Sequence, residues 1–108
     1  MTVPAFPADY VSSRARFRQA AAGLGWHLHT HRIDGTGPAG EDLTIDAAIS
    51  PNAGADRVLV VSSALHGVEG PFGAAVQLAV MERWAEKGAL PGGLRAVFLH
   101  ALNPYGYA

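Results

Sequence analysis

Four apolar residues in a row, Val58-Leu59-Val60-Val61, lead without a break into Ser62-Ser63-Ala64-Leu65-His66-Gly67-Val68-Glu69-Gly70-Pro71. The run lacks the alternation of a strand with one wet face, so it predicts a strand from Arg57 to Ala64 that is covered on both faces. Pro71 suits the first turn of a helix, where its missing N–H costs nothing. That helix should reach about Lys87. Its first half is apolar almost all round, while Glu82, Arg83, Glu86 and Lys87 gather in its last two turns, so a buried start and a wet end are expected. Gly88 should end it, and Pro91-Gly92-Gly93 should turn the chain. Leu94 to Ala101 reads as another strand. The order strand, helix, strand predicts a parallel β-α-β unit with a right-handed crossover.

The upstream half reads as a helix followed by a hairpin. Thr2 to Ala8, with Pro4 and Pro7, is an extended entry arm. Asp9 can cap a helix from Tyr10 to about Ala22, because its carboxylate accepts from otherwise unpaired N–H groups. Tyr10, Phe17, Ala21 and Leu24 recur at helical spacing and should face the core, and Gly23 and Gly25 should end the helix. Arg14, Arg16 and Arg18 read as a solvated basic face. Trp26 to Ile33 is the next strand, and its period of two puts His27, His29 and His31 on one face. Same-face neighbours in a strand lie ~6–7 Å apart, whereas ligands of one zinc must converge to ~2 Å from it. A solvated histidine face is the reading that geometry favours. Asp34 to Glu41 is a loop. Leu43 to Ile49 is a strand with Leu43, Ile45, Ala47 and Ile49 on one face and Thr44, Asp46 and Ala48 on the other, and Ser50 to Gly54 turns the chain. The fold class is therefore α/β: a mixed sheet with an amino-terminal hairpin, towards the sheet edge, and a parallel β-α-β core.

Composition serves mainly to exclude. A net charge of −1 gives no electrostatic reason to expect nucleic acid or an acidic membrane surface. The absence of cysteine removes disulfides and thiolate metal sites. No apolar run approaches the ~20 residues that cross a bilayer, and the first residues lack the basic and apolar regions of a signal peptide. A cytoplasmic protein is the expectation. The sequence stops at Ala108 directly after a turn, with nothing to cover the second face of the last strand, which suggests an amino-terminal fragment. Such a fragment would tend to self-associate through exposed backbone and apolar surface.

The chemistry centres on His66 and Glu69. In open α/β sheets, ligands bind beyond the carboxyl ends of the strands, where this pair stands. Zinc accepts imidazole nitrogen and carboxylate oxygen at ~2.0–2.2 Å, and hydrolytic sites use three protein ligands and a water. Side chains three residues apart in one turn can reach a common point, and Gly67 and Gly70 let the backbone bend tightly around an ion. On spacing alone the plainer reading is a capping carboxylate beside a hydrogen-bonded histidine, with Glu69 serving the helix amino-terminus; the position after the strand is what favours a metal.

His66-Gly67-Val68-Glu69-Gly70, a helix, a strand and then Asn103-Pro104-Tyr105-Gly106 resemble the zinc carboxypeptidase superfamily, which includes carboxypeptidase A, aspartoacylase and succinylglutamate desuccinylase. The likeness is greatest to a bacterial branch of largely uncharacterised domains and covers about residues 57 to 108. The resemblance implies a phosphorylase/hydrolase-like architecture, zinc as cofactor, His66 and Glu69 as two of its ligands, and Asn103, Pro104 and Gly106 as residues that shape the site. It implies hydrolysis of an amide in a peptide or an acyl-amino acid by the complete protein. The family's third ligand, a histidine, its glutamate base and its substrate-binding arginines have no match here, so the 108 residues alone are expected to be inactive. His100, inside the last strand, reads as a core or supporting histidine.

Two further readings remain open. A serine hydrolase of the α/β-hydrolase type also places His-Gly after a strand, but requires a Gly-x-Ser-x-Gly elbow that this sequence lacks. A non-catalytic domain of the same fold, binding a ligand or partner without turnover, differs only in residues further downstream.

Overall fold

The computed structural model describes residues 6–51, 54–87, 90 and 93–108. The expected turns at Asn52-Ala53 and Pro91-Gly92, the helix end at Gly88 and most of the entry arm lie outside these residues. The first helix, α1, spans Tyr10–Leu24, and the hairpin strands are β1, His27–Thr36, and β2, Asp42–Ile49. They are followed by β3, Arg57–Ser62, then α2, Gly70–Lys87, then β4, Leu94–His100, and a single closing turn, α3, Pro104–Tyr107.

Asp9 caps α1 as its chemistry requires, its carboxylate accepting from the Ser12 N–H at 2.7 Å. The helix passes through Gly23 and closes at Gly25, whose φ of +72° lets the Gly25 and Trp26 N–H groups return to the carbonyls of Ala22 and Ala21. The sheet has the order β1-β2-β4-β3. β1 and β2 form the antiparallel hairpin, β2 runs antiparallel to β4, and β3 and β4 are parallel. The mixed sheet with an amino-terminal hairpin and a β-α-β core is thus the observed fold. β1 runs three residues into the expected loop, because a register shift after Arg32 lets Thr36 pair with Asp42.

Both long helices lie on one face of the sheet. Phe17 and Ala21 of α1 and Met81 of α2 close over Ala48, Ala96 and Phe98, with Trp26 at the rim. The strand face beneath α1 is the more polar one: Thr44 and Asp46 are buried there beside Ala48, while Ile45, Ala47 and Ile49 are half-buried on the other side. Their partners come from α1. Arg18 Nε donates to Asp46 at 2.6 Å, and Arg14, itself buried, donates to the Asp42 carbonyl and the Thr44 hydroxyl. Arg14 and Arg18 therefore do not form the solvated face expected of them; they satisfy polar groups that the sheet presents to the helix.

The Val58–Val61 run also departs from expectation. Among the described residues β3 is an edge strand with helices on one side only, and Val58, Leu59 and Val60 are exposed at 58%, 40% and 58%. Of this run Val61, partly buried, packs against the core. Helix α2 is wet at its end as expected, but its start is a stripe rather than a buried cylinder, with Ala74, Ala75, Leu78 and Met81 inside and Phe72 and Val76 outside. Among the described residues no helix is long and apolar enough to cross a membrane.

Candidate metal centre

The parallel strands β3 and β4 end side by side, and their exits are laced together. Ser63 N–H donates to the Leu99 carbonyl, Leu102 N–H to Ser63 and Asn103 N–H to Ala64. Buried Gln77 reaches from α2 and donates to the carbonyls of Val61 and Leu99 at 3.0 and 2.9 Å. At Ala64 the chain enters the left-handed region, φ +57°, which costs an alanine about 1–2 kcal/mol. That turn lifts residues 65–69 off the sheet and sets them over the carboxyl ends of the strands. Strained residues of this kind concentrate at functional sites.

Within the loop, one carboxylate oxygen of Glu69 accepts from the N–H groups of His66, at 2.8 Å, and Gly67, at 2.6 Å. The side chain thus reaches back into the loop rather than forward to the N–H groups of α2. The Gly67 N–H contributes most to holding this carboxyl below the usual carboxylate range, aided by the His66 N–H and imidazole against the opposing effect of burial, so it is ionised at neutral pH. The other oxygen, Oε2, stands 3.4 Å from His66 Nδ1. Two ligands of one tetrahedral zinc at about 2.0–2.2 Å are about 3.3–3.6 Å apart, so the separation and the donor chemistry fit a shared ion. The imidazole is 82% exposed and open to solvent.

Among the described residues no third histidine, aspartate or glutamate joins the pair. His100 is elsewhere: it is 1% exposed on the helix-facing side of β4, stacked on Phe17 and Tyr10, with Nε2 2.7 Å from the Ser13 hydroxyl. Burial depresses its pKa to about 4, against the opposing pull of the Asp46 carboxylate. It is a core histidine, as the sequence suggested. His27, His29 and His31 are exposed on β1 and remain apart from the loop.

The residues after β4 complete the support. Asn103 accepts from the Gly106 N–H and donates to the His66 carbonyl, both at 2.9 Å. The two loop glycines serve this contact rather than curvature around an ion alone. A Cβ on Gly67, whose φ is +150°, would stand 2.7 Å from the Gly106 carbonyl oxygen, and one on Gly70 would stand 2.8 Å from the Tyr107 ring. Tyr107 in turn packs edge-on against Tyr10 and tilted against His100, with ring centroids 5.5 and 5.9 Å away. Sequence reasoning missed the support from Tyr10, Ser13 and Tyr107. Only the proximity of Tyr107 to the Asn-Pro-Tyr-Gly motif hinted at it.

Solved structures of similar fold include glutaminyl cyclases from Tannerella forsythia (TM-score 0.59, 15% identity, covering 95% of this chain and 43% of that one), Macrostomum lignano (0.54, 16%, 82% and 30%) and Fimbriiglobus ruber (0.53, 17%, 82% and 36%). The chain thus spans less than half the length of each, and at these identities the likeness is one of fold. No curated protein matches the sequence significantly. Residues 6–108 match the family described as protein of unknown function (DUF2817), and the chain belongs to that family.

Proposed function

We propose that these residues belong to a zinc-dependent amide hydrolase acting on a carboxy-terminal peptide bond or an acyl-amino acid, in which His66 and Glu69 supply two metal ligands. The observation that carries the reading is the 3.4 Å separation of His66 Nδ1 and Glu69 Oε2 in a loop fastened over the ends of two parallel strands. Bound zinc supplies a water of pKa ~7 and a Lewis acid for the carbonyl under attack. The chain's own part is to hold the donors. Two N–H groups fix the Glu69 carboxylate in its ionised form, and Asn103 ties the His66 backbone to the turn after β4. The remaining ligand and the general base belong, in this reading, to residues outside these 108.

The test is zinc content per chain in the full-length protein after dialysis, paired with hydrolysis of acyl-amino acids and peptides. His66→Ala and Glu69→Ala should each abolish zinc retention and hydrolysis while the circular dichroism of the sheet and helices persists. Unchanged zinc in either variant overturns the assignment. A glutaminyl-cyclising activity is the second reading, favoured by the fold shared with the Tannerella forsythia enzyme over 95% of this chain. Offering the same preparation a peptide with amino-terminal glutamine separates the two.

A further inference from the structure

The register of the hairpin sets His27, His29 and His31 opposite Ile49, Ala47 and Ile45, on the sheet face turned away from the helices. Every residue from His27 to Arg32 is exposed, and β1 is an edge strand, so its outer backbone groups meet no other strand among the described residues. One chain does not bring three of these ligands to a point. The sequence around His29 is nevertheless palindromic in its ligands, His-x-His-x-His, which is what a twofold antiparallel pairing requires of an isologous interface.

We infer that β1 pairs edge to edge with β1 of a second copy, antiparallel about His29, and that the facing imidazoles bridge a divalent first-row metal ion such as zinc. In that arrangement His29 faces the partner's His29, and His27 faces the partner's His31. Directly opposed residues have Cβ atoms ~4.5–5.5 Å apart, within reach of two imidazoles sharing an ion at ~2.0–2.1 Å. The β2 neighbours Ile45, Ala47 and Ile49 place no competing cation beside the row. Imidazole suits zinc, copper and nickel, and no carboxylate on this part of the face favours calcium or magnesium. The register shift after Arg32 confines the regular ladder to the histidine segment. The site is incomplete in a single chain, so the metal and the association are one event.

The experiment is sedimentation velocity of the full-length protein carrying His66→Ala, with zinc chloride added in steps. The substitution removes the loop pair, so the outcome is independent of the function proposed above. Expected is a monomer that becomes a dimer with between one and three ions per two chains, at most one for each facing pair, and returns to monomer with EDTA. His29→Ala, at an exposed position where folding is undisturbed, should weaken zinc-driven association by more than about tenfold. Zinc bound by a monomer, no zinc binding, or a dimer indifferent to His29→Ala overturns the inference.

Discussion

The side-chain amide of Asn103 donates to the backbone carbonyl of His66 while accepting from the Gly106 N–H, so one residue joins the histidine loop to the turn that ends β4. Both bonds are near the surface. Asn103→Ala should therefore cost only about 1–2 kcal/mol of stability. Its effect on the metal should be larger in proportion, about tenfold or more in zinc affinity of the full-length protein, as is typical of partners that orient a ligand. Urea denaturation and competition with a chelator measure the two separately. Equal zinc affinity in the variant would show that Asn103 only caps its own turn.

Gly70 and Tyr107 should be coupled. A methyl group on Gly70 meets the face of the Tyr107 ring, so Gly70→Ala forces the ring or the start of α2 to move and should cost about 1–3 kcal/mol. In a Tyr107→Leu background the same substitution should cost less, and the double-mutant cycle gives the difference directly. Additive effects would mean that the contact is not maintained in solution.

Stability should fall in mild acid because of His100. Its folded-state pKa, about 4, lies below the ordinary value of 6.5, so the neutral form is the one the fold favours. The contribution is fully present above pH 6.5 and is lost as pH drops from there through 4, with a total on the order of 3 kcal/mol. His100→Phe keeps a ring between Phe17 and Tyr10 but removes the proton-binding group. Its urea midpoint should decline less between pH 7 and pH 4 than that of the parent chain. Parallel declines would assign the acid sensitivity to carboxylates instead.

Removing Arg18 should be costly in spite of its partial exposure. Asp46 is fully buried, and Arg18 is its ion-pair partner at 2.6 Å. Arg18→Ala strands a buried carboxylate and should cost about 2–4 kcal/mol. Arg18→Ala combined with Asp46→Asn should recover part of the loss. A surface-like effect below about 0.5 kcal/mol would contradict the described pairing.

What was legible in the sequence follows the range of the interactions. The Asp9 cap, the left-handed Gly25, the hairpin and the β-α-β unit rest on contacts within a few residues or on patterns with a fixed period, and these appear as read. His66 Nδ1 and Glu69 Oε2 stand 3.4 Å apart, a proximity that the three-residue spacing permits without dictating. Arg14 and Arg18, on α1, do not show their partners locally, because Asp42, Thr44 and Asp46 lie on strand β2, 26 to 30 residues away. An arginine on a helix looks solvated until the strand beneath it presents an acid. Val58–Val61 was misread for the converse reason: an unbroken apolar run states what the strand tolerates on each face, not which neighbours supply the cover.

Tyr107 rests on Gly70 and against Tyr10, so three segments separated by tens of residues meet under the loop that carries His66. This has a consequence in time. During synthesis His66 and Glu69 leave the ribosome about forty residues ahead of Tyr107, and loop closure over that distance must precede its packing beneath Gly70. The contacts of the Glu69 carboxylate with the His66 and Gly67 N–H groups are available as soon as the loop emerges, whereas the support from Asn103 and Tyr107 waits for the chain's last residues.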